Sequence, residues 1–106
     1  MPKFLLQGSY TAEGAKGVMK DGGTKRRAAA QASIESLGGR LEAFYFAFGD
    51  TDVFAIVDFP DAASAAASSL ALSASGAVMG KLTVLIAPEE IDAATKKSIK
   101  YVPPGH

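Results

Sequence analysis

The stretch Leu41–Phe59 (LEAFYFAFGDTDVFAIVDF) constrains what this chain can fold into more than any other. Its first run, Leu41–Phe48, is apolar and aromatic. Its second, Val53–Phe59, is β-branched and aromatic. Between them Gly49-Asp50-Thr51-Asp52 supplies the residue types of a tight polar turn. Two such runs around such a turn make a β-hairpin. The remaining segments are then layers on that hairpin.

Before it, Lys3–Ser9 (KFLLQGS) has the length and centre of a strand. Thr11 is placed to cap a helix from Ala12, with Ala15, Val18 and Met19 at helical spacing. Asp21-Gly22-Gly23-Thr24 breaks that helix. Thr24 caps a second segment to Leu37, on which Arg27, Ala30, Ile34 and Leu37 share a face, and Gly38-Gly39 stops it. After the hairpin, Pro60-Asp61 opens an alanine-rich helix ending near Ser75-Gly76, with Ala63, Ala66 or Ala67, Leu70 and Ala74 as its stripe. Lys81–Ala87 (KLTVLIA) is a further strand. Pro88-Glu89-Glu90 starts a short helix, and Tyr101–His106 is an extended tail.

The order strand, helix, strand, strand, helix, strand is the split βαβ pattern: an α+β, ferredoxin-like βαββαβ domain with a C-terminal helix. Helices cover one sheet face. Leu5, Tyr45, Val53, Val57 and Leu85 are expected on the other. At about 25 cal/mol per Å², covering several hundred Å² of apolar surface is worth roughly 10 kcal/mol before the costs of association. A second copy of the chain is the expected cover.

Bulk properties exclude several classes. At 106 residues and 48% hydrophobic content the chain suits one globular domain. Net charge is zero, so no global field draws it to nucleic acid or to an anionic membrane. There is no cysteine, hence no disulfide or thiolate chemistry. No apolar run reaches the roughly 20 residues of a membrane span, and the N-terminus lacks a signal-peptide core. A cytoplasmic protein is expected.

The chain resembles the GYD domain proteins, a group within the dimeric α/β-barrel superfamily. The resemblance covers nearly the whole chain. It is carried by Gln7-Gly8-Ser9-Tyr10-Thr11, Glu13–Gly17, Gly22–Arg27, Ser36–Glu42, Phe44–Asp50 and Ala87–Ile91. Gly49 and Asp52 match the ends of the family's Gly-Tyr-Asp signature, but Thr51 stands where tyrosine is expected. The resemblance implies a ferredoxin-like protomer and a barrel-forming dimer. It implies no particular reaction, because relatives across the superfamily include cofactor-free monooxygenases, haem-binding enzymes and isomerases.

The candidate chemistry is sparse. Gly17–Thr24 approximates a phosphate loop, but Gly23 replaces the lysine and the segment follows a helix. His106 is the only histidine, so no zinc or copper set can be built and no metal site is expected. The serines near Ser68, Ser69, Ser73 and Ser75 lack a histidine partner. Asp50 and Asp52 fit local turn bonding, and Asp50 or Tyr45 is the acid/base candidate should the protein be an enzyme. Gln7, Tyr10, Arg27, Tyr45 and Asp50 are the candidate ligand-binding groups. The leading reading is a homo-oligomer that takes a small apolar or aromatic molecule between sheet and helices, without a cofactor. The alternatives are a cofactor-independent monooxygenase or isomerase, and a structural self-assembly protein without catalysis.

Overall fold

The computed structural model describes residues 1–106. Its elements are β1 (Lys3–Tyr10), α1 (Ala12–Asp21), α2 (Gly23–Ser36), β2 (Arg40–Phe46), β3 (Val53–Asp58), α3 (Ala62–Ser75), β4 (Val78–Leu85) and α4 (Pro88–Thr95). The strands form one antiparallel sheet in the order β2-β3-β1-β4. This is the expected ferredoxin-like α+β arrangement.

Local chemistry explains the helix ends. The Thr11 hydroxyl oxygen accepts from the Gly14 N–H at 3.2 Å and starts α1. Gly22, at φ +82°, turns the chain between α1 and α2, and its backbone (not Thr24) precedes the second helix. Asp61 accepts from the Ser64 N–H at 2.8 Å to start α3, and Gly76 closes it in the left-handed region.

The central hairpin forms, but its connection is longer than a tight turn. β2 stops at Phe46, and Ala47–Asp52 folds over the end of β1. The Ala47 N–H bonds the Asp52 carbonyl at 2.7 Å, and the Asp52 N–H bonds the Gly8 carbonyl at 2.8 Å. Phe48, expected within the strand, lies in this loop and is fully exposed.

Register assigns the two faces. Phe4, Leu6, Gly8 and Tyr10 align with Val84, Leu82, Gly80 and Val78 on one side, and the first three with Val57, Ala55 and Val53 on the other. This face meets the helices. Val53 and Val57 are therefore buried core residues, not members of the bare face as expected from sequence. Every position of Val53–Val57 is apolar, so alternation alone could not say which set points inward. The outer face carries Leu5, Phe54 and Ile56, all half-buried, with exposed Tyr45 and Met79. The core is Phe4, Ile34, Ala55, Val57, Phe59 and Ala65. Phe59 tilts against Phe4 with ring centroids 5.8 Å apart.

Two helix stripes differ from the sequence reading. On α3 the inward positions are Ala65, Ser68, Ser69 and Leu72, while Leu70 is exposed. On α2 the half-buried arginine above Ala30, Ile34 and Leu37 is Arg26, and Arg27 is exposed. Alanines surround both helices, so neither has a strong apolar direction of its own.

One end of the outer face holds a charged cluster. The Lys3 ammonium lies 3.0 Å from both Asp58 Oδ1 and Glu42 Oε2. Arg40 reaches Asp58 Oδ2 through Nη2 at 3.2 Å and Nε at 3.3 Å. Asp58 is the buried member. The hydrogen bond from Lys3, then that from Arg40, holds its carboxyl below the usual carboxylate range against the opposing effect of burial. A depressed folded-state value means stability present above the unfolded Asp value of about 3.9 and lost as pH falls through the lower folded value. Asp58→Asn is expected to destabilise the protein at pH 7 by about 1–3 kcal/mol. In urea unfolding, its gap from wild type should close below about pH 4. A gap of constant size from pH 7 to pH 2 would refute this role.

Beyond Leu85 the chain leaves the sheet. Every residue from Ile86 to His106 is exposed, and α4 has no buried side chain. The radius of gyration is 16.9 Å, against about 13 Å for a compact chain of this length. This C-terminal arm carries exposed Ile91, Ile99, Tyr101 and Val102. No helix is long and apolar enough to cross a membrane.

Candidate functional site

α2 packs on β2 and α3 packs on β4; Ile34 of α2 and Ala65 of α3 share the core, and beside them a gap remains between the two helices. The gap follows from residue size. Ala30 and Ser33 on α2 face Ser68 and Ala71 on α3, and Leu6 lies beneath them. In the sheet, Gly8 pairs with Gly80. A methyl group on Gly8 would meet Val53 Cγ1 at 2.8 Å and Val78 Cγ2 at 3.1 Å. These missing side chains lower the floor, and Leu72 dips toward Gly80.

The result is a groove with three parts. One end, of about 200 Å³, lies among Leu6, Ala30, Ile34 and Ala71. A narrow waist of about 70 Å³ is lined by Leu6, Gly8, Phe44, Val53, Leu72 and Val78, together with Tyr10 and Arg26. The mouth, of about 320 Å³, opens between Tyr10, Glu13, Arg26, Ser75 and Ala77. The parts adjoin one another, sharing walls at Leu6, Ala30 and Leu72, and at Tyr10, Arg26 and Val78. An apolar cleft with a few convergent polar groups is the usual form of a small-molecule site.

Tyr10 and Arg26 supply those polar groups. Tyr10 is fixed through its backbone: its N–H donates to Asp52 Oδ2 at 2.8 Å. Its ring stacks near Phe46 at 6.5 Å, and Phe46 meets Phe44 edge-on at 5.3 Å. Burial raises the Tyr10 phenol above its ordinary value, and the neighbouring Arg26 guanidinium partly offsets this. The phenol therefore keeps its proton at neutral pH. Arg26 takes part in none of the five ion pairs of the protein.

The five residues singled out from sequence do not meet at the groove, though Arg27 and Tyr45 together line a separate cleft of about 290 Å³ along β2 with Gln31 and Phe44. Tyr10 is at the groove. Gln7 and Tyr45 are on the outer face, both in register with Phe54 in one row across β1, β3 and β2. Arg27 lies on the outer side of α2, against Phe44 and Phe46. Asp50 is exposed in the connecting loop, where its carbonyl accepts from the Ser9 hydroxyl at 2.6 Å. Sequence reasoning missed Arg26, Ala30 and Leu72. For Arg26 the signal was present, since Arg26, Ala30 and Ile34 recur every four residues. No group of three or more His, Cys, Asp or Glu side chains is placed to hold a metal ion.

Sheet order, crossover helices and groove together define a ferredoxin-like α+β protein. A family model for the GYD domain matches residues 4–95. The chain belongs to the GYD domain family. No curated protein and no solved structure matches it significantly.

Proposed function

We propose that this protein binds a small apolar or aromatic molecule in the groove between α2, α3 and the sheet, and does so as a homo-oligomer. The observation that carries the reading is the groove itself: a cleft left open by Gly8, Ala30, Ser68 and Ala71. Its walls are mostly apolar, and its charged groups sit at one end. Catalysis of the monooxygenase or isomerase kind would draw on Tyr10, because Asp50 stands outside the groove.

The uncovered sheet face supports self-association. Leu5, Phe54 and Ile56 form an apolar centre there, flanked by Tyr45 and Met79. A second copy presenting the same face gives an isologous contact. The arm beyond Leu85 adds Ile91, Ile99 and Tyr101 to the surface available for it.

Native mass spectrometry of freshly purified protein tests both parts. The expected spectrum shows an even-numbered oligomer carrying extra mass. Ala30→Phe, which fills the groove, should remove the extra mass and leave the subunit count unchanged. Ile56→Glu should yield monomers. A monomeric wild type would refute the assembly, and unchanged extra mass in Ala30→Phe would refute the location of the site.

A further inference from the structure

The groove has a polarity that the reading above does not use. At the Ile34 end its lining is alkyl or small, with the Ser33 and Ser68 side chains, and along the waist it is alkyl and aromatic up to Tyr10 and Arg26. At the mouth the charged side chains are Arg26 and Glu13. The two nearby carboxylates, exposed Glu13 and Asp52 behind the Tyr10 backbone, form no ion pair with Arg26. Arg26 is half-buried, with its guanidinium beside the Tyr10 ring and hydroxyl. A guanidinium cannot lose its proton at any physiological pH. Removing such a charge from water without a partner is unfavourable. A planar anion restores the balance, because carboxylate oxygens match the fork of a guanidinium.

We propose that the groove takes an amphiphilic carboxylate, its head held by the Arg26 guanidinium and the Tyr10 hydroxyl and its apolar body lying along Leu6, Ala30 and Leu72. This rests on the groove being the binding site. The head group is a monoanion, since one guanidinium supplies one positive charge. Tyr10, protonated at neutral pH, donates its O–H to a carboxylate oxygen while Arg26 donates its N–H groups. The distance available to the tail follows from α2. Arg26 to Ile34 spans eight residues, or about 12 Å of helix, which suits a medium-length alkyl chain or a fused aromatic ring.

Isothermal titration of the full chain with decanoate and with 1-decanol separates the head from the body. Wild type is expected to bind decanoate at least tenfold more tightly than decanol. Arg26→Gln should abolish that preference while holding decanol affinity within twofold, and Arg26→Lys should retain part of it. Tyr10→Phe should weaken decanoate only. Thermal melts of each variant establish that it is folded. Equal binding of the two probes by wild type would overturn the carboxylate head and leave the groove reading standing. Binding of neither probe would overturn both.

Discussion

Phe59→Ala is expected to lower the unfolding free energy by about 3–5 kcal/mol. Phe59 lies one residue past β3 and is 1% exposed. Its N–H bonds the Pro2 carbonyl at 3.1 Å, which fixes the backbone on which the ring is mounted. The ring packs on Phe4 and closes the end of the core beneath Ile34 and Ala65. The core holds few large side chains, since two of its six members are alanine. A cavity at Phe59 therefore has little around it able to collapse inward. Domains of this size are stable by about 5–15 kcal/mol, so the loss is a large share of the whole. Urea unfolding followed by circular dichroism measures it. A loss below about 1 kcal/mol would mean that the ring is not a central packing element.

The second large effect is a pair of substitutions with opposite signs on one helix. Gly14→Ala should destabilise by about 1–3 kcal/mol or more. Gly17→Ala should stabilise by about 0.5–1 kcal/mol. Gly14 is buried where α1 crosses the start of β4. A methyl group there would collide with the Ala77 carbonyl oxygen and lie 3.1 Å from Tyr10 Cδ1. The obstacle is backbone, and it is held in place: the Ala77 carbonyl already accepts the Thr11 N–H at 3.0 Å. Gly17, one turn on, has nothing within 4 Å of the added methyl group. Both sites share a helix, so differences in helix propensity between them are small and the contrast isolates the contact. Thermal melts of the two variants decide it. Shifts of the same sign would contradict the close approach of α1 to Ala77.

The same approach explains what was readable in the sequence. Thr11, Asp61, Gly22 and Gly76 act locally, through bonds or dihedral angles within a few residues, and their positions gave the element boundaries directly. The strand order followed from the alternation of elements and the hairpin at Leu41–Phe59. Orientation was harder. β3 is apolar on both sides, so its inward set is settled only by pairing with β1 through Phe4, Leu6 and Gly8. α3 is mostly small residues, and its rotation is settled by where Leu72 finds room beside Gly80. A ligand site between sheet and helices was expected, but its lining was not legible, for a related reason. It is built from side chains that are absent, and its charged group is Arg26 instead of its neighbour Arg27. A helix turns by about 100° per residue, so two adjacent arginines point to different surroundings, and only the packing of α2 on β2 decides which one turns inward.

The seating of α2 on β2 and α3 on β4 has a mechanical consequence. The helices sit as two jaws on opposite halves of the sheet, with small side chains facing each other across the gap. Sheet twist sets the angle between strands, and hence the separation of whatever is carried on them. A contact on the outer face that altered this twist would therefore alter the gap between the helices on the other side. The central strands β3 and β1 lie between the two mounts, with the Leu5–Ile56 pair on one surface and the Leu6–Ala55 pair on the other.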